Sequence, residues 1–188
     1  MKPRSRTRRG VAGAALAVAL LAAGGAPSAS ALEYPIGKPQ TRDGLEVSLV
    51  YLQPVTMEPA GVMRDARTSD VHLEADIKAL GNNRQGFAEG TFVPYLVLRY
   101  EIRKAGGGDA VRGDLMPMVA SDGPHYGDNV KLQGPGKYQV SVTVAPPDAA
   151  HSLFGRHVDK ETGVAAWFAP FTLTYDFTYA GVGKKGAY

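Results

Sequence analysis

Hydrophobic and polar residues alternate along five segments of the chain. These segments are LEVSLVYLQ (45–53), VHLEADIKA (71–79), PYLVLRYEI (94–102), YQVSVTV (138–144) and FTLTYDFTY (171–179). A period of two is typical of β-strands that bury one face and expose the other. In the second segment the apolar face consists of Val71, Leu73, Ala75 and Ile77. The polar face consists of His72, Glu74, Asp76 and Lys78. The pattern therefore predicts a sheet with distinct inner and outer sides.

Turn-forming residues separate these segments, and no long stretch has the periodicity of an amphipathic helix. The turn segments are GNNRQG, KAGGGD, SDGPHYGDN, QGPGK and APPD. Five to eight short strands joined in this way predict an all-β fold, an immunoglobulin-like antiparallel β-sandwich. We expect one domain over residues 32–180 and a flexible tail over residues 181–188. The connection of residues 146–166 is predicted to be functional, because long loops without their own structure often are.

The first 31 residues differ in character from the rest of the chain. Five basic residues lie within residues 1–9, an apolar run follows over roughly residues 11–23, and small residues end at Ala29-Ser30-Ala31. This layout predicts a signal peptide, residues 1–31, whose removal leaves an exported, periplasmic protein. The pair Arg8-Arg9 also indicates a twin-arginine export signal, although the residues after it fit that motif poorly. The absence of a cysteine at the cleavage site excludes a lipoprotein anchor.

Removal of the predicted signal peptide changes the charge of the protein. The full chain has 21 Lys and Arg against 18 Asp and Glu, a formal net charge of +3. Five of the basic residues lie in residues 1–31, which leaves 16 basic residues and a net charge of −2. Such a chain lacks the basic surface of a nucleic-acid-binding protein. It also has no further apolar run long enough to span a membrane, so we expect no direct membrane insertion.

The chain contains no cysteine. Its stability must therefore come from the core rather than from disulfides, and thiolate metal sites, blue-copper centres and cysteine nucleophiles are excluded. Any metal site has to use His, Asp, Glu or Met. The four histidines are His72, His125, His151 and His157. His157 precedes a predicted tight turn, whereas His151 has no comparable context and is left out of the site.

Two short stretches place metal-binding side chains close together. His72 and Glu74 are two residues apart on a predicted strand, so both side chains leave the same face and can reach one ion or two neighbouring ions. Alternatively, they belong to the solvent-exposed face of a strand.

Met118 and His125 are joined by VASDGP, whose Gly-Pro pair can fold the chain back and bring thioether and imidazole together. Alternatively, Met118 fills a gap in the core and His125 is an ordinary loop histidine.

Five blocks of the sequence, in this order, resemble a known protein family. They are YLQPVTMEPAG (51–61), DVHLEADIKA (70–79), FVPYLVLRYEI (92–102), MPMVASDGPHYGDNVKL (116–132) and RHVDKETGVAAWFAPF (156–171). The family is that of the bacterial periplasmic high-affinity ferrous-iron transport proteins, which accompany inner-membrane iron permeases. The blocks extend over nearly the whole mature chain, and the fourth block is the most specific.

The resemblance implies a homodimer of immunoglobulin-type sandwiches that binds copper, and iron or its mimic manganese, near the dimer interface. The metal ligands that it implies are His72, Glu74, Met118, His125 and, through a loop of variable length, His157. Lys78 stands where the family commonly has a second histidine, which puts an auxiliary site there in doubt. The chemistry is consistent, because imidazole and thioether suit copper while a carboxylate suits Fe(II) or Mn(II).

These observations predict a periplasmic metal-binding protein that passes iron to an inner-membrane permease. Enzymatic turnover, such as copper-assisted iron oxidation or reduction, is not required by this interpretation. Two alternatives stay open. One is a copper-dependent redox enzyme on a sandwich fold, although such enzymes usually have more histidines for each copper. The other is a metal-free adhesion or assembly module, which would contain no stoichiometric metal after purification.

Overall fold

The computed structural model describes residues 32–147 and 154–181, and β-strands dominate them. The strands are β1 (Tyr34–Arg42), β2 (Leu45–Leu52), β3 (Val71–Ala79), β4 (Val97–Lys104), β5 (Val111–Ala120), β6 (Gly123–Val130), β7 (Gly136–Ala145) and β8 (Phe171–Tyr179). The helical structure of this described part is a single 3-10 turn at Ala66–Thr68. No helix in it is long and apolar enough to cross a membrane. The predicted signal peptide, His151 and residues 182–188 of the predicted tail lie outside the described residues.

The eight strands follow one another in the hydrogen-bonded order β1-β2-β3-β6-β5-β4-β7-β8, and every pair is antiparallel. Strand β5 joins the two halves, because residues 111–115 pair with β4 and residues 116–120 pair with β6. The outermost strands approach each other, and Gln40 Nε2 on β1 donates to Thr174 O on β8 (2.9 Å). The predicted all-β antiparallel fold is confirmed. The finer prediction of an immunoglobulin-like sandwich is not confirmed by this nearly closed, barrel-like order and stays a prediction.

The alternation of the sequence fills the interior of the protein. On β3 the four apolar residues of the predicted inner face are all buried: Val71, Leu73, Ala75 and Ile77. The inner faces of β2 and β7 add Leu45, Val47, Leu49, Tyr138, Val140, Val142 and Val144. Full burial of an aliphatic side chain of this size contributes about 1.5–3 kcal/mol. This core therefore holds the sheet in register in a chain that has no disulfide.

Strands β1, β5 and β6 fall outside the five alternating segments. Strand β1 contains two prolines and lies at one end of the strand order, where proline removes no necessary ladder bond. The prediction that SDGPHYGDN is turn material is wrong for most of its length, because only Ser121 and Asp122 form the turn and the rest belongs to β6. Pro124 is tolerated there because the ladder between β6 and β3 begins only at Tyr126.

Tyr126 connects the sheet to the segment before β4. Its side chain is fully buried, and its hydroxyl donates to Val93 O (2.7 Å) and accepts from Leu96 N (2.9 Å). Tyr95, between these two residues, has a φ of +63°, a conformation incompatible with a regular strand. The strand therefore begins at Val97 rather than at residue 94, where the alternation places its start.

We expect Tyr126→Phe to lower the free energy of unfolding by about 2–4 kcal/mol, because it leaves a buried carbonyl and a buried N–H without partners. Urea denaturation monitored by circular dichroism measures this loss. Tyr95→Phe is the matched control: its side chain is 51% exposed, so it should change stability by less than about 0.5 kcal/mol. Equal losses in the two variants would contradict the anchoring role of Tyr126.

Candidate metal centre

The candidate site forms on the outer face of the sheet, where β3 lies beside β6. The register of these strands places His72 opposite Asn129 and Glu74 opposite Gly127. Directly opposed residues of antiparallel strands carry their side chains on the same face. This is the face opposite to the core, yet His72, Glu74 and Asn129 are all buried. At His72 and Glu74 the polar side of β3 is thus not the solvent-exposed face of the alternative interpretation, whereas Lys78 on the same side is exposed.

His72, Glu74 and His125 form a compact trio. Glu74 Oε1 lies 3.5 Å from His72 Nε2 and 3.3 Å from His125 Nε2. One donor atom from each side chain lies within 4.8 Å of the other two. Both Nε2 atoms are buried and have no hydrogen-bond partner in the described part of the chain. A buried polar atom that stays unpaired costs about 1–3 kcal/mol, so two such nitrogens facing one carboxylate form a candidate site for a cation.

Gly127 leaves a small space that His72 and Met118 share. A Cβ atom placed on Gly127 would lie 2.6 Å from His72 Nε2 and 3.1 Å from Met118 Sδ. Met118 is also the direct cross-strand partner of His125 in the β5–β6 hairpin. The thioether and imidazole that the sequence predicts to converge therefore do lie side by side. The donor set of two imidazoles, one carboxylate and one thioether fits copper or ferrous iron.

Burial determines the electrostatics of the trio. It lowers the pKa of His72 to about 4, against the opposing effect of the hydrogen bond to Asn129, so the ring is neutral at pH 7. Burial also raises the pKa of Glu74 to about 7, with further contributions from the nearby carboxylates Glu33, Asp122 and Asp76. A neutral imidazole can bind a metal, and a carboxylate whose charge is disfavoured gains from an adjacent cation. The site is therefore suited to a positive ion.

A cavity of about 470 Å³ reaches Glu74 and His125 from the surface. Three other carboxylates line it, those of Glu33, Asp76 and Asp122, together with the amine of Lys78. Burial and the neighbouring Asp122 and Asp76 raise the pKa of Glu33, as expected for acidic groups that lie close together. With Glu74 included, four carboxylates face one lysine, so the acidic groups of the entrance outnumber the basic one and favour cations.

His157 lies apart from the trio. Its side chain is 75% exposed, and its Nδ1 is 2.7 Å from Thr162 Oγ1. Asp159 accepts hydrogen bonds from the backbone N–H groups of Glu161 and Thr162, which forms the tight turn predicted from the sequence. The role of His157 as a ligand stays a prediction, since within one described chain it does not join His72, Glu74 and His125.

Sequence reasoning missed Gly127 and Asn129. Both lie in a segment whose Gly, Pro, Asp and Asn residues indicate a turn, which hides their alternation with His125. His125, Gly127 and Asn129 alternate along β6, and a strand assignment there would have placed all three on one face. The pairing of Asn129 with His72 links residues far apart in sequence, which a single-strand pattern does not reveal.

A family model described as "Fe2+ transport protein" matches residues 30–181 of the chain. The chain is 63% identical over 161 residues to a UPF0423 protein of Brucella abortus, covering 85% of this chain and 88% of that protein. It is 39% identical over 149 residues to the 34 kDa membrane antigen of Treponema pallidum, covering 77% of this chain and 72% of the antigen.

Two solved structures share both the fold and much of the sequence. One is the copper-reconstituted P19 protein of Campylobacter jejuni, with 48% identity and a TM-score of 0.76 over 81% of this chain and 99% of that one. The other is FetP of uropathogenic E. coli, with 46% identity and a TM-score of 0.76 over 81% of this chain and 99% of that one. Copper-bound variants of both proteins match as well.

If the space beside Gly127 holds a metal ion, Gly127→Ala should lower the affinity for Cu(II) at least roughly tenfold, as expected when the surroundings of a ligand are displaced. The new methyl group would overlap His72 Nε2 and fill the space. Isothermal titration measures the affinity, and circular dichroism confirms folding. Gly155→Ala is the control, because a Cβ there meets nothing within 4 Å. A folded Gly127→Ala variant with unchanged affinity would show that the ion does not use this space.

Proposed function

The chain belongs to the Fe2+ transport protein family, and on this basis we propose that it is an exported metal-binding protein of a high-affinity iron uptake system. The observation that carries the proposal is the buried trio of His72, Glu74 and His125. Its two ring nitrogens Nε2 have no hydrogen-bond partner among the described residues. Unsatisfied polar atoms are costly in a protein interior and call for a functional explanation.

Copper and ferrous iron are the ions that the donor set suits best. The two imidazoles and the thioether of Met118 favour copper, and the sulfur favours Cu(I) in particular. The carboxylate of Glu74 is a hard donor that favours Fe(II), and equally Mn(II) as its mimic. Copper also has support from relatives, since P19 and a FetP variant are described with copper bound. We assign His72, His125 and Met118 to copper and Glu74 to both ions.

Export and delivery complete the proposed role. The basic, apolar and small-residue regions of residues 1–31 support a cleavable signal peptide and a periplasmic location. The negative entrance formed by Glu33, Asp76 and Asp122 supports capture of Fe(II) from solution. We propose that the ion then passes to an inner-membrane iron permease, which takes it as cargo.

We also propose that the protein is a homodimer in which His157 of one protomer approaches the site of its partner. Two of the most exposed large hydrophobic residues support this arrangement: Val119, which is 77% exposed, and Val158, which is 74% exposed. Val119 directly follows Met118, and Val158 directly follows His157. Since consecutive residues of a strand point to opposite faces, a two-fold contact that covers both valines would bring the exposed His157 to the end of the partner's β5–β6 hairpin rather than directly onto Met118.

Substitution of Met118 and Glu74 should affect different metals. Met118→Leu nearly conserves volume and removes the soft donor, so it should weaken Cu(I) binding by roughly 10–100-fold and Mn(II) binding much less. Glu74→Gln keeps the shape and removes the charge, so it should weaken Mn(II) more than Cu(I). Isothermal titration of Mn(II) and competition titration of Cu(I) measure the four affinities.

Met57→Leu and Glu46→Gln are the controls for this pair, because they make the same chemical changes at residues outside the candidate donor set. Both should bind the two metals as the unmodified protein does. Equal weakening of both metals by Met118→Leu and Glu74→Gln would contradict the division between soft and hard donors. Unchanged binding in both variants, or a protein that binds no metal at all, would contradict the proposed function.

The dimer is tested by placing a charge at each exposed valine. Val119→Asp and Val158→Asp should each convert the protein to a monomer at tens of micromolar, because a buried aspartate without a partner is strongly unfavourable in an interface. Light scattering measures the mass. Val62→Asp is the control at a valine that is 43% exposed, and it should remain dimeric. A monomeric unmodified protein, with and without metal, would contradict the proposal.

A further inference from the structure

Asn129 makes four polar contacts beside the trio. Its Oδ1 accepts a hydrogen bond from Val55 N (3.1 Å) and lies 3.0 Å from His72 Nδ1. Its Nδ2 donates to Val55 O (2.8 Å) and to Arg64 O (2.9 Å). A carboxamide oxygen accepts two hydrogen bonds and its nitrogen donates two. The side chain of Asn129 is therefore fully satisfied in a buried position.

Backbone groups fix the orientation of this amide. A backbone N–H can only donate, so Val55 N requires the oxygen of Asn129, and backbone carbonyls can only accept, so Val55 O and Arg64 O require its nitrogen. Rotating the amide by half a turn would set Nδ2 against an N–H group and Oδ1 against two carbonyl oxygens. The connection between β2 and β3 thus decides which atom of Asn129 faces His72, independently of the imidazole.

This orientation dictates where His72 carries its proton. Asn129 Oδ1 cannot donate, so the contact at 3.0 Å is a hydrogen bond only when His72 Nδ1 bears the hydrogen. A neutral imidazole has one N–H, and the other nitrogen then has a free lone pair. That nitrogen is Nε2, the atom that faces Glu74 and the space beside Gly127.

We propose that Asn129 is a positioning residue that holds His72 in the Nδ1–H tautomer and so keeps Nε2 free to bind the metal. The alternative tautomer would place its hydrogen on Nε2, which lies 3.5 Å from Glu74 Oε1 and has no hydrogen-bond partner among the described residues. The lone pair that binds the metal would then be lost. The metal-binding part of the inference rests on the proposed function, whereas the tautomer is a property of the metal-free protein.

Nitrogen NMR of the metal-free, 15N-labelled protein at pH 8 tests the tautomer directly. Two-bond correlations between ring hydrogens and ring nitrogens should show His72 with hydrogen on Nδ1 and none on Nε2. Hydrogen on His72 Nε2 in the unmodified protein would overturn the proposal without the need for any variant.

Two substitutions separate positioning from structural support. Asn129→Asp keeps oxygen acceptors for His72 Nδ1–H but cannot donate to the carbonyls of Val55 and Arg64 in its charged form, whereas Asn129→Leu removes every polar contact. We expect the Asp variant to keep the Nδ1–H tautomer. The Leu variant should move towards Nε2–H and lose affinity for Cu(II) by roughly 10–100-fold, with a smaller loss in the Asp variant.

The outcomes of this comparison are distinct. Equal loss of Cu(II) affinity in both variants would indicate structural support alone and overturn the proposal, as would an unchanged tautomer in a folded Leu variant. If the Leu variant does not fold, Nε2–H in the Asp variant still overturns it and Nδ1–H supports it. An unmodified protein that has the Nδ1–H tautomer and binds no copper would contradict the proposed function and leave the tautomer assignment intact.

Discussion

The pairing of β3 with β6 is the constraint on which the candidate site depends. Their register sets His72 opposite Asn129 and Glu74 opposite Gly127. Since side chains alternate between the two faces of a strand, a slip of one residue would turn these groups towards the core and expose Leu73 instead. The buried apolar face of β3 therefore fixes the register, and the register in turn assembles the polar site on the other face.

Burial of the outer face makes this arrangement costly in the absence of a ligand. The exposed side of an antiparallel sheet is ordinarily in contact with water, which satisfies its polar side chains. Here the segment between β2 and β3 lies against Asn129 through Val55 and Arg64, while His72 Nε2 and His125 Nε2 have no partner among the described residues. An ion that binds the folded protein alone would offset part of this cost and stabilise the fold in proportion to its affinity.

The sequence predicts five of the eight strands and the proximity of His72 and Glu74, because both depend on a local period of two. The apolar side chains of Val71, Leu73, Ala75 and Ile77 lie inside. Those of His72 and Glu74 share the outer face, as the alternation requires. The hairpin of β5 and β6 was harder to predict, because Gly123-Pro124 and Gly127 are turn signals when considered alone. Glycine at position 127 is explained by the space between His72 and Met118 rather than by a turn, and that space exists only after three strands have paired.

The candidate donors are divided between the cavity and the space beside Gly127. The cavity from the surface is lined by Glu74 and His125 together with the carboxylates of Glu33, Asp76 and Asp122, whereas His72 Nε2 and Met118 Sδ lie beside Gly127. Hard oxygen donors therefore line the cavity, and the soft sulfur lies beside Gly127, where Met118 is half-buried and less enclosed than Glu74 and His125. Under the proposed function, Fe(II) would meet the carboxylates of the cavity first, and copper would use the imidazoles and the sulfur. Because the proposal assigns Glu74 to both ions, occupancy by one ion would influence the affinity for the other through this single carboxylate.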